Sequence, residues 1–377
     1  MTRARTAVVF ALGMLLGGLI VALIPRTPEL PPVWQDDLSL TGPRTYAQAV
    51  TLATGQVLLV GGMDRDSRAV TNGWAEILDP RAGTVRRDAA PQIARMWQSV
   101  TTLPNDLVLV IDGTERHSDG SWYALAYAES FDPWTGRWHQ ISAPSMARSD
   151  HEAVVLRDGR VLVIGGNDGP KWVHQSEIYD PATDRWSLAA SLPVGRTRFT
   201  AATLPDGRVL VAGGFAEPGA ATDRTLIYDP ASDSWSEGPQ MLAKRAIHSE
   251  VALPGGDLLF IGGQEDGSNT AERYDQRGHR FVFAGTLGSP RMFGQAAVAE
   301  DGSVIFAGGI VVPQSGFDPT TDVERWDPAT NLWTVTAPLH TARAGGAMVA
   351  APGGIWLLGG SIQDDHATDS IELLPSP

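Results

Sequence analysis

Seven arginines, at positions 44, 95, 148, 196, 245, 291 and 343, are each followed two residues later by a different kind of side chain: Tyr46, Trp97, Asp150, Arg198, Ile247, Phe293 and Gly345. Aromatic faces beside a carboxylate and a guanidinium suit a sugar or a peptide, since rings stack on apolar faces while charged groups orient hydroxyls or chain ends. His151 and His248 stand three residues past two of these arginines, and Glu115 and Asp168 lie in polar segments a little further along the chain. We take Tyr46, Trp97, Asp150, Arg198, Phe293, His151, His248, Glu115 and Asp168 as the candidate ligand-binding set. No residue is assigned a catalytic or metal-ligating role. The eight histidines include no pair at i and i+4 and no HExxH, and zero Cys removes disulfides, thiolate metal ligands and cysteine nucleophiles. A net charge of −14 repels a phosphate backbone and argues against nucleic acid as a partner.

The elements that position these residues repeat. Glycine pairs or near-pairs close an apolar run at 61–62, 112–113, 165–166, 213–214, 262–263, 308–309 and 359–360, spaced 46 to 53 residues apart. Each run alternates and follows a turn, as in RVLVIGG at 160–166 after Asp158-Gly159, which is the pattern of a hairpin leading into a buried strand. Downstream come turns at Asp79, Asp132, Asp180, Asp229, Asp275 and Asp327, and six residues past each stand Val85, Trp138, Trp186, Trp235, Phe281 and Trp333. Ten residues past each of those is the next arginine. The repeated arginines are matched by Glu76, Glu129, Glu177, Glu272, Glu324 and Glu372, so we read the two sets as structural pairs that orient loops. Function is expected where the repeat departs from itself, at the positions listed first and in the segments after the glycine pairs.

These marks resemble the kelch repeat, whose unit joins a glycine pair, a Tyr-Asp-Pro-type turn and a tryptophan within roughly 50 residues. RSDHEAVVLRDGRVLVIGGNDGPKWVHQSEIYDPATDRW, from Arg148 to Trp186, carries the resemblance best. It implies an all-β fold, a seven-bladed propeller over residues 33–377 with one four-stranded blade per unit. The last unit ends without a tryptophan strand, and Trp34 stands ten residues before Arg44, so VWQDDLSL at 33–40 is expected to supply the outer strand of the last blade. Kelch propellers bind ligands through such first-strand positions and post-glycine loops. Copper chemistry of the galactose-oxidase kind needs a Tyr–Cys crosslink, which a chain without Cys lacks; no cofactor is expected. A second similarity, to periplasmic kelch proteins that interconvert sialic acid anomers, implies an acid/base and a carboxylate-binding arginine, parts that Asp150 and Arg198 would take.

Ahead of the repeats, residues 7–24, AVVFALGMLLGGLIVALI, carry no charge and at 1.5 Å per residue would span about 27 Å, the thickness of a hydrocarbon core. Arg3 and Arg5 on one side against Arg26 on the other predict a transmembrane signal anchor with residues 1–6 in the cytoplasm. Residues 25–32, PRTPELPP, form a stiff spacer, and the repeats are expected outside the cytoplasm as a membrane-tethered scaffold for a protein or an envelope carbohydrate. A periplasmic sugar-processing enzyme is the alternative.

Overall fold

The computed structural model describes residues 33–64, 73–88, 91, 93–116, 121–312 and 318–376. The expected anchor at 7–24 and its flanks, 1–6 and 25–32, lie outside these residues. Among the described residues no helix is long and apolar enough to cross a membrane.

The protein is all-β, in the arrangement of a β-propeller. Among the described residues, seven four-stranded antiparallel sheets follow one another along the chain. In the third, Glu152–Val155, Val161–Ile164, Ser176–Asp180 and Arg185–Ala189 pair in sequence order, with Tyr179 opposite Trp186. The second strands, such as Val161–Ile164 and Val209–Ala212, are buried at every residue, which is why their sequences are unbroken apolar runs. The seventh sheet is built from both ends of the described chain. Gln35–Ser39 pairs antiparallel with Ser370–Pro375, as the Trp34 to Arg44 interval led us to expect, and Ala347–Ala351 and Gly354–Leu358 complete it.

Sheets stack face to face through their side chains. Trp186, Trp235 and Trp333 each reach back to the preceding sheet, where the indole Nε1 donates to the carbonyls of Ser142, Ala190 and Ala284 at 2.7, 2.8 and 2.8 Å. Trp34 takes the corresponding place between the sixth and seventh sheets, buried against Ile305, Ile355 and Leu374.

The repeated arginines pair with the repeated glutamates as expected, and both partners are buried. Arg148 Nη2 meets Glu177 Oε2 at 2.6 Å, Arg245 meets Glu272 at 2.7 Å, Arg291 meets Glu324 at 2.5 Å and Arg343 meets Glu372 at 2.7 Å; Arg44–Glu76 and Arg95–Glu129 complete the series. Each guanidinium also donates to a carbonyl near the glycine pair of its own unit, as Arg148 does to Gly165 O at 3.3 Å. Glycine suits these points, although Asp112 takes the first of the two in the second unit with φ of +54°. Gly165 and Gly166 have φ of +62° and +89°, and an added Cβ would sit 2.7 Å from Arg196 O and 2.5 Å from Ser149 O.

Candidate functional site

The buried arginine anchors the start of each first strand, and the next residue makes an antiparallel bridge to the segment after the glycine pair: Thr45 to Met63, Met96 to Thr114, Ser149 to Asn167, Ala246 to Gln264 and Ala344 to Ser361. The residue after that is thrown into the left-handed region. Tyr46, Trp97, Asp150, Arg198, Ile247, Phe293 and Gly345 all have φ between +51° and +61°. For Ile and Trp this is an outlier that surrounding structure must impose.

What imposes it is a belt of hydrogen bonds from sheet to sheet. The N–H of Asp150 donates to Trp97 O, Arg198 to Asp150 O, Ile247 to Arg198 O, Phe293 to Ile247 O, Gly345 to Phe293 O and Tyr46 to Gly345 O, at 3.3, 3.3, 3.2, 3.4, 3.1 and 2.8 Å. The rings of Tyr46 and Trp97 meet with centroids 6.1 Å apart. All seven belt residues line one cavity of about 240 Å³, together with Gln48, Gln295 and Met348 from the first strands.

Chemistry varies around this cavity while the backbone repeats. Tyr46, Trp97 and Phe293 form an aromatic wall, Tyr46 and Phe293 being 5.8 Å apart. The Arg198 guanidinium lies 5.4 Å from the Trp97 ring centre and 5.8 Å from that of Phe293, within cation–π range of both. Its Nε meets Asp150 Oδ1 at 3.2 Å, and Asp150 Oδ2 accepts from Asn167 Nδ2 at 3.3 Å. Arg198 keeps 30% of its side chain exposed and Asp150 keeps 12%. The wall continues outward: Trp122, on the hairpin Thr114–Arg116 with Trp122–Ala124, stands 6.2 Å from Trp97 and beside Arg116.

The structure brings together five of the nine residues singled out from the sequence, Tyr46, Trp97, Asp150, Arg198 and Phe293, and leaves four outside the cavity's lining. His151 and His248 are buried between first strands, where their Nε2 atoms bond the hydroxyls of Ser99 and Thr200 at 2.9 and 3.1 Å. Side chains alternate along a strand, so one step past the belt they turn between sheets. Burial holds both imidazoles down to about 3, neutral at physiological pH. Glu115 belongs to the Thr114–Arg116 hairpin, and Asp168 closes its own turn by accepting from Lys171 N at 3.1 Å.

Two residues were missed. Glu152 and Glu250 are the charged residues among first strands otherwise built of small, apolar and neutral polar residues, and that contrast was the available signal. Protein surrounds both side chains, yet each keeps some contact with water. Burial, then the charge of Glu250, pushes the Glu152 carboxyl up to about 8, and burial pushes Glu250 to about 7 against a hydrogen bond from Thr200. A larger cavity, about 480 Å³, lies at the far end of the first strands between the sixth and seventh sheets and is lined mostly by apolar side chains.

Comparison with known proteins agrees with this architecture. The kelch motif family matches residues 147–193 and 196–242, the third and fourth units. Alpha-scruin from Limulus polyphemus is 29% identical over 109 residues, which is 29% of this chain and 12% of that relative's length. A fungal alcohol oxidase of the AA5 family, solved in complex with copper, superposes with a TM-score of 0.75 at 18% identity over 92% of this chain and 76% of its own. YjhT superposes with a TM-score of 0.55 at 18% identity over 89% of this chain and 96% of its own. At these identities the structural matches establish the fold alone.

Proposed function

We propose that this kelch-repeat protein is an extracytoplasmic binding module, tethered by residues 7–24, whose seven sheets close as seven blades and whose belt face holds a protein or an envelope carbohydrate. The observation that carries the reading is the belt itself. Seven backbone positions of one conformation present seven side chains to one cavity, and they include three aromatic rings and an ion pair. A rigid scaffold that keeps its geometry while varying its side chains is how loops and strand ends serve recognition. The rings offer flat apolar surface, Arg198 and Asp150 offer a donor and an acceptor with fixed orientation, and Trp122 extends the surface beyond the cavity. The test is a screen of soluble residues 27–377 on glycan arrays and in pull-downs from envelope extract. A saturable partner whose binding is lost in Trp97→Ala supports the reading, whereas a partner that binds Trp97→Ala at full affinity removes this face from consideration.

Asp150 and Arg198 in one cavity also favour a second reading, acid–base catalysis on a sugar acid. Its carboxylate would displace Asp150 from the guanidinium and leave Asp150 beside the ring as the base. Exchange between anomers of sialic acid, followed by NMR, would rise with enzyme concentration and be lost in Asp150→Asn; a rate equal to buffer rejects catalysis.

A further inference from the structure

The larger cavity lies where the repeat drops two side chains at one spot. In five inter-sheet gaps a leucine at the turn between first and second strands packs against an aromatic residue on the third strand of the following sheet: Leu52 with Phe131, Leu103 with Tyr179, Leu156 with Tyr228, Leu204 with Tyr274 and Leu253 with Trp326. Between the seventh sheet and the first, the two positions are Ala351 and Leu78, and Trp356 fills the difference from the second strand. Between the sixth and seventh, the leucine is Ala299 and the aromatic residue is Leu374, while the second-strand residue in the place of Trp356 is Ile305. Those three residues line the cavity of about 480 Å³.

A third element is also different there. In the third and fourth sheets the tyrosine hydroxyl donates to an aspartate in the turn before the fourth strand, Tyr179 to Asp184 at 3.0 Å and Tyr228 to Asp233 at 2.8 Å. The seventh sheet has no such turn, because its third strand is Ser370–Pro375 and its fourth is Gln35–Ser39. An acceptor is nonetheless present. Asp301 lines the cavity, held by Ser303 Oγ at 2.6 Å and paired with Arg325, and 45% of its side chain is exposed.

We propose that this cavity is a binding site for a small, uncharged aromatic molecule carrying a hydrogen-bond donor, of the phenol or indole class. The protein's own repeats specify the occupant: a ring where Tyr179, Tyr228 and Tyr274 sit in other gaps, with its donor turned to a carboxylate as those of Tyr179 and Tyr228 are. Anionic ligands are disfavoured because Asp301 already neutralises Arg325 and the other charged residue of the lining is the carboxylate Glu300, and the apolar part of the lining, with Val298, Ala299, Ile355 and Leu374, disfavours any charge set against it. The size falls within the range of small-molecule pockets.

The probe is 4-fluorophenol, added to the full-length protein in lipid nanodiscs and read by its 19F resonance. Saturable broadening that indole displaces, with nuclear Overhauser contacts from the ring protons to the methyls of Ile355 and Leu374, is the expected result. Leu374→Tyr and Ala299→Leu each restore one dropped side chain, and each should weaken binding at least tenfold while the melting temperature holds or rises. If one variant fails to fold, the other decides. No saturable broadening with wild-type protein, contacts to other methyls, or unchanged affinity in a folded filled variant would overturn the proposal.

Discussion

Arg196 shows how closely the residues of one repeat depend on each other. In the first, third, fifth, sixth and seventh units the glutamate that pairs the arginine also accepts from the N–H three residues before it: Thr41, Ser145, Leu242, Gly288 and His340, at 2.7, 2.8, 2.6, 2.8 and 2.8 Å. In the fourth unit the glutamate is Leu226, and the residue three before Arg196 is Pro193, which has no N–H to satisfy. The guanidinium is held by the carbonyls of Gly213 and Arg224 at 3.1 and 2.7 Å, and burial lowers it to about 10. Carboxylate and amide thus disappear together. Copying one half of that change into the fifth unit, Glu272→Leu, strands Arg245 and the Leu242 N–H and should cost about 3–5 kcal/mol. Adding Leu242→Pro should recover about 1 kcal/mol of that loss, although Leu242→Pro alone destabilises. Chemical denaturation of the four proteins measures the coupling, and simple additivity would contradict the account. A second expectation concerns Glu152. Its folded-state carboxyl titrates near 8, above the ordinary value of 4.5, so the native protein holds that proton more tightly than the unfolded chain. The resulting stability is complete below pH 4.5 and is lost as pH rises through 8. Glu152→Gln should therefore melt with wild type at pH 5 and above it at pH 8. Parallel melting curves across that range would show that the carboxyl is not raised.

Among elements, the shared seventh sheet was legible because the ten-residue interval between a tryptophan and an arginine holds at Trp34 as it does in the repeats. The prediction belongs to that strand. Trp34→Ala should cost about 3–5 kcal/mol, since the side chain is 2% exposed and packed in an inter-sheet cluster. Equal melting temperatures for the variant and wild type would detach the strand from the fold. Less of the site was legible. The positions of Tyr46, Trp97, Asp150, Arg198 and Phe293 follow from register, but their left-handed backbone does not, since Trp and Phe disfavour it and only the belt's hydrogen bonds impose it. The orientation of His151 and His248 needed the strand's alternation to be placed exactly one residue further, a step that a repeat spacing of 46 to 53 residues does not resolve. Glu152 and Glu250 stand four and five residues past their arginines, so no single repeat offset links them. They influence each other only through the fold.

For the whole molecule, the two ends of the first strands have different characters. One end carries the belt, with its aromatic wall and ion pair; the other carries the cavity where the chain's first and last described strands share a sheet. The kelch motifs and the propeller arrangement account for the scaffold, and the side chains that break the repeat account for the proposed recognition. Replacing the belt side chains should leave the scaffold intact, because the belt is made by backbone groups and the inter-sheet clusters lie elsewhere. The most direct measurement is affinity for the partner found by screening, compared among wild type, Trp97→Ala, Arg198→Ala and Arg325→Ala, with melting temperatures recorded for each. The account predicts at least a tenfold loss of affinity in the first two variants and none in Arg325→Ala, with melting temperatures of Trp97→Ala and Arg198→Ala within a few degrees of wild type. Full affinity in folded Trp97→Ala and Arg198→Ala proteins would contradict it and assign recognition to another surface.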